Sequence, residues 1–228
     1  MPDWKPLSLL VPLILTALAA VPSPAATQGT VEELALEAED GGTLAATLYL
    51  PASSRKSPAV ILIHQEGSDH TQWAPYVPPL VARGYVVLTY DVQTATELET
   101  IIPYLRDHPA VDELRIGVIG AGHGANLAIA ANHQYGLAGV ALSPSTAEAR
   151  QLAGLEDGDD FDLKSLFYIA TAGDGQGQAA HWAQELHDRT AEPRRLLILE
   201  DSAAHGVGIF EDSRITFERV LRWLKERV

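Results

Sequence analysis

The chain has 228 residues, 46% of them hydrophobic and 20% charged, which supplies one buried core and excludes the low hydropathy of a disordered protein. Thirty acidic residues against sixteen basic ones leave a formal net charge of -14, a field that opposes nucleic-acid backbones and anionic lipid surfaces. There is no cysteine, so disulfides, thiolate nucleophiles, iron–sulfur clusters and Cys-ligated zinc are all excluded.

Residues 7–21 form an apolar run preceded by Lys5 and followed by Pro22-Ser23-Pro24-Ala25-Ala26. The run is shorter than the roughly 20 residues that span a bilayer, and Pro12 interrupts it, so it reads as a secretory signal. This predicts a signal peptide over residues 1–26, cleavage near Ala25 or Ala26, and an exported domain, secreted or periplasmic, over residues 27–228. An uncleaved N-terminal anchor is the alternative, and the one route by which the chain would meet a membrane.

Residues 31–39 and 43–50 alternate apolar and polar side chains around Asp40-Gly41-Gly42, the pattern of an antiparallel hairpin. After Pro58 the pattern changes to short, wholly apolar runs at 59–63, 85–90, 116–119, 137–142, 166–169 and 196–199. Runs of this kind suit strands buried on both faces of a parallel sheet. Segments of helical length lie between them, at 73–82, 96–106, 125–132 and 181–189. The last stretch puts Phe217, Val220, Leu221, Leu224 and Val228 on one helical face and Glu218, Arg219, Arg222 and Glu226 on the other. The predicted architecture is a three-layer α/β sandwich: a mostly parallel sheet with an N-terminal antiparallel hairpin, and a ligand site beyond the carboxyl ends of the strands. The acidic residues 156–160 lack the ligand spacing of a calcium loop and read as a solvated connection.

Three strand ends concentrate the groups that carry chemistry. The run 116–119 leads into Gly120-Ala121-Gly122-His123-Gly124 and a helix, the run 166–169 leads to Asp174, and the run 196–199 leads to His205. With the hairpin, His64-Gln65-Glu66-Gly67 and Arg83-Gly84-Tyr85, this order resembles the α/β-hydrolase family, and within it the lidless, dienelactone-hydrolase-like branch, over nearly all of the mature chain. The resemblance implies a Gly-x-Ser-x-Gly elbow with Ser as nucleophile, a His base and an Asp that orients it. Asp174 then matches the acid and His205 the base, while backbone N–H groups at Gln65 and His123 match the oxyanion donors.

The nucleophile position falls on Gly122, and no shift of the motif by one or two residues brings a Ser there. Covalent acyl transfer needs a side-chain oxygen or sulfur on the elbow, so the serine cycle is not available. The residues leave two functions open. One is a binding or partner protein that keeps the old pocket for a small-molecule ester, lactone or acyl ligand. The other is an ester or lactone hydrolase that works through a His205-activated water, or through His123 as base or nucleophile. Alternatively His123 is simply a polar residue near a helix start. A further alternative reads Gly120, Gly122 and Ala125 as a dinucleotide fingerprint, but Leu142-Ser143-Pro144-Ser145 offers no acidic residue for a ribose at the next strand end. No His spacing marks a metal site on a helix, and no cofactor is implied.

Overall fold

The computed structural model describes residues 29–37, 41–92, 96–157 and 159–228, so the expected leader and Asp40 of the hairpin turn lie outside the described residues. Among the described residues one eight-stranded sheet forms, with strands β1 Thr30–Glu37, β2 Thr43–Leu50, β3 Ser57–Ile63, β4 Val86–Tyr90, β5 Val111–Ala121, β6 Ala138–Leu142, β7 Lys164–Thr171 and β8 Ala191–Leu199. Their spatial order is β1-β2-β4-β3-β5-β6-β7-β8. The hairpin pairs Thr30 with Leu50 and Glu37 with Thr43, β2 joins β4 antiparallel, and the remaining pairs are parallel.

Seven helices cover the two faces: α1 Val77–Ala82, α2 Glu97–Asp107, α3 His123–Tyr135, α4 Thr146–Leu152, α5 Gln178–Arg189, α6 Gly208–Asp212 and α7 Arg214–Arg227, counted among the described residues. Period-two alternation along each strand divides the core. On β3, Val60 and Leu62 join the cluster built with α1, α6 and α7, whereas Ala59, Ile61 and Ile63 join the cluster built with α2 and α3. A third cluster sets Leu166, Tyr168 and Ala170 of β7 against Ala149 of α4 and Ala183 and Leu186 of α5. Both faces of the central strands are therefore buried, which is why their sequences show no polar alternation. Among the described residues no helix is long and apolar enough to cross a membrane.

The departures from the sequence reading have local causes. β5 begins at Val111, before the apolar run, because Val111 pairs with Ser57 while Glu113, Leu114 and Arg115 are exposed. The helix expected over 73–82 is a 3-10 turn, His70–Trp73, capped by Asp69, followed by α1, whose first turn carries the prolines. Helices α4 and α6 were not expected. Ser145 caps α4 by accepting a hydrogen bond from the Glu148 N–H, so the Ser-x-x-Glu signature of a helix start was legible but unread. Among the described residues the connection from β6 to β7 carries the seven-residue α4 and no large lid.

Candidate functional site

Chain order reverses between β3 and β5: from β3 the chain continues to β4 on one side, and β5 lies on the other. A crevice opens at the carboxyl ends flanking such a point. Gln65 follows β3 there, and Gly122 follows β5.

The β5–α3 connection is a sharp turn. Gly122 has φ 53° and ψ -117°, a conformation costly to any residue with a side chain. Its N–H donates to the Leu142 carbonyl at 2.9 Å and its own carbonyl accepts from the Ala125 N–H at 3.0 Å. Gly124 lets α3 press onto the end of β3, since a Cβ there would stand 2.4 Å from the Ile63 carbonyl oxygen. A Cβ at position 122 would stand 2.9 Å from His205 Nε2 and 3.2 Å from Gln65 Cβ. The histidine ring therefore leans into the volume that an elbow side chain would need.

Asp174 opens a 3-10 turn after β7 and is 9% exposed; its Oδ2 lies 2.8 Å from His205 Nδ1. With Nδ1–H donated to the carboxylate, the neutral ring presents the Nε2 lone pair to the crevice. Three bonds hold the loop that carries this ring. The Gly206 N–H donates to Ser143 Oγ at 3.0 Å, the Val207 N–H donates to Gln65 Oε1 at 3.3 Å, and Thr171 Oγ1 donates to the Ala204 carbonyl at 2.9 Å. Gln65 thus contributes its side chain as a clamp on the His205 loop, a role the sequence reading did not assign. Its backbone also lies at the elbow, with Cα 3.8 Å from a Cβ at position 122, where an oxyanion donor is needed. Ser143 is buried at the end of β6 with φ 53°, a strained conformation for a serine.

His123 is the first residue of α3, and it has a carboxylate partner of its own. Its Nδ1 lies 2.5 Å from Glu148 Oε1, and Asn126 Nδ2 donates to Glu148 Oε2 at 2.6 Å. The Asn126 amide is fixed in turn, because its Oδ1 accepts from the Ser145 N–H at 2.7 Å. Neither Glu148 nor Asn126 was picked out from the sequence. Their signals were the capping signature at Ser145 and the i, i+3 spacing of His123 and Asn126 on one helix face.

Both histidine–carboxylate pairs line one open cavity of about 770 Å³, with Gly122, Ser143, Trp182 and Glu66 among the other lining residues. Two imidazoles, each oriented by an acid, can exchange protons with a bound molecule or a water. The elbow between them holds no oxygen that could attack. Elsewhere at the carboxyl edge, His64 is locked as the Nδ1–H tautomer: Nδ1 donates to the Gln65 carbonyl at 2.8 Å and Nε2 accepts from the Val92 N–H at 2.8 Å. Asp69, His70 and Asp91 bring their ligand atoms within 4.8 Å of one another, but internal bonds account for this grouping. The His70 N–H and ring meet Asp91 Oδ1 at 2.8 and 2.7 Å, and Asp69 caps the Thr71 N–H at 2.8 Å. Burial works to raise the Asp91 pKa, yet the two bonds from His70 outweigh it and hold the carboxyl below its ordinary range.

The eight-stranded, mostly parallel sheet with helices on both faces is shared with solved hydrolase structures. The chain has the α/β-hydrolase fold. A dienelactone hydrolase from Anabaena variabilis superposes with a TM-score of 0.72 at 16% identity, covering 88% of this chain and 99% of that one. An esterase of Pyrococcus furiosus gives 0.67 at 19% identity, covering 87% and 91%. The esterase domain of a Rhodothermus marinus protein gives 0.64 at 16% identity, covering 86% and 98%. No family model and no curated protein matches the sequence.

Proposed function

We propose that this chain is an exported small-molecule-binding protein on the α/β-hydrolase scaffold, taking an uncharged ester, lactone or acyl compound into the cavity without forming a covalent acyl intermediate. The observation that carries this reading is Gly122: the elbow has no oxygen, and His205 Nε2 stands 2.9 Å from where its Cβ would begin. A neutral ligand fits the charge of the site, because Glu66, Glu148 and Asp174 all line the cavity and would repel a carboxylate or phosphate. The Nε2 atoms of two oriented imidazoles offer it polar anchors, and Trp182 offers an apolar wall.

The test is covalent trapping. Wild-type protein incubated with 4-nitrophenyl acetate or a fluorophosphonate should show no burst of product and no added mass. Under the same conditions Gly122→Ser should gain the adduct at position 122, and Gly122→Ala should not. An adduct on the wild-type chain overturns the reading, and peptide mapping then tells Ser143 or a histidine apart as the atom attacked.

A further inference from the structure

Helix α4 starts with the Ser-x-x-Glu signature, yet only half of the usual capping box is present. Ser145 Oγ accepts from the Glu148 N–H, as such a cap requires. The Glu148 carboxylate, which would ordinarily fold back onto the Ser145 N–H, points instead to His123 at 2.5 Å and to Asn126 at 2.6 Å. Asn126 takes over the Ser145 N–H at 2.7 Å. The exchange frees one carboxylate from a structural bond and fixes its two oxygens on a histidine and an amide. For His123 this is the relation that Asp174 has to His205: an acid on Nδ1, with the ring lining the cavity.

We propose that His123, positioned by Glu148, is a second proton-transfer group, and that with His205 it hydrolyses an uncharged ester or lactone by direct attack of water. This rests on the cavity being the small-molecule site proposed above. His205 Nε2 takes one proton from the water as its oxygen bonds to the carbonyl carbon, giving a tetrahedral oxyanion. The ester C–O bond then breaks, and the His123 imidazolium gives its Nε2 proton to the departing alkoxide. The products are an acid and an alcohol, or one hydroxy acid from a lactone. His205 releases its proton to solvent and His123 regains one, so the cycle consumes one water and no other reactant. Glu148 is a positioning residue, which holds the His123 ring through Nδ1. Among the described residues, the ionisable side chains that line the cavity with the two rings are Glu66 from the loop after β3, Glu148 from α4 and Asp174 from the turn after β7.

The experiment is steady-state hydrolysis of a neutral aryl ester and a neutral lactone by the full chain between pH 4 and pH 10. Melting temperatures are measured for each variant to confirm folding. Wild-type turnover should be slow and should depend on both histidines. His205→Gln and His123→Gln should each lower kcat by on the order of 10²-fold. Glu148→Gln should fold normally and lower kcat with little change in KM, because the carboxylate that holds the His123 ring by Nδ1 is gone. Absence of wild-type turnover overturns this proposal, as does a profile indifferent to His123 or Glu148. Neither outcome touches the non-covalent pocket, which is judged separately by trapping and by a thermal shift with the intact lactone.

Discussion

At Gly122 backbone strain and chemistry meet in one residue. The turn needs φ 53° and ψ -117°, which glycine adopts freely and which costs other residues about 1–3 kcal/mol. Any side chain there must also push the His205 ring away, since its Cβ would stand 2.9 Å from Nε2. Gly122→Ala should therefore lower the melting temperature by roughly 2–12 °C, at about 2–4 °C per kcal/mol for a chain of this size. Differential scanning calorimetry checks this, and an unchanged midpoint would show that the turn relaxes at no cost. The order elbow, acid, histidine was readable in the sequence because each residue lies just past an apolar run. The approach of His205 to the elbow was not readable, since the partners lie on loops far apart in the chain.

At the scale of elements, α7 shows how far an apolar stripe reaches. Its buried residues include the expected Phe217, Val220, Leu221 and Leu224, and also Trp223, which the stripe did not include. Trp223 is completely buried: its indole N–H donates to the Gly139 carbonyl at 3.1 Å, its ring meets Phe167 at 5.9 Å, and Arg195 and Arg227 lie over it at 5.1 and 5.2 Å. Trp223→Ala should destabilise by about 3–5 kcal/mol, measured by urea unfolding, with the indole's bond to the Gly139 carbonyl also lost. A loss below about 1 kcal/mol would mean that the arginine stems and α7 collapse into the gap. The strands were more legible than the helices, because burial on both faces leaves an unmistakable apolar run. The short helices α4 and α6 carry too few turns to show a period, and only the cap at Ser145 marked α4 in advance.

For the whole molecule, the net charge of -14 conceals an uneven distribution. Arg83, Arg115, Arg222 and Lys225 gather with Glu218 around a cleft of about 600 Å³ beside α7, while the other cavity carries Glu66, Glu148 and Asp174. Exclusion of anionic ligands therefore belongs to the candidate site and does not follow for every surface. The export expectation concerns the chain as a unit. Expressed in a bacterial host with its native start, the protein should be recovered outside the cytoplasm with its first residue near Ala26 or Thr27. Intact mass measurement decides this, and a soluble cytosolic product that retains Met1 would refute it.

By itself the sequence determined the sheet, the N-terminal hairpin, the glycine at the turn after β5 and the strand ends where Asp174 and His205 stand. Each of these is local, set by a few adjacent residues and by the burial their side chains require. Only the tertiary structure decided that His205 leans into the empty elbow, that Gln65 clamps its loop, and that Glu148 leaves its own helix cap for His123. Those contacts join residues 83, 142 and 25 positions apart, respectively for Gly122–His205, Gln65–Val207 and His123–Glu148. Their geometry depends on how loops close over a packed sheet, and no periodicity along the chain encodes that.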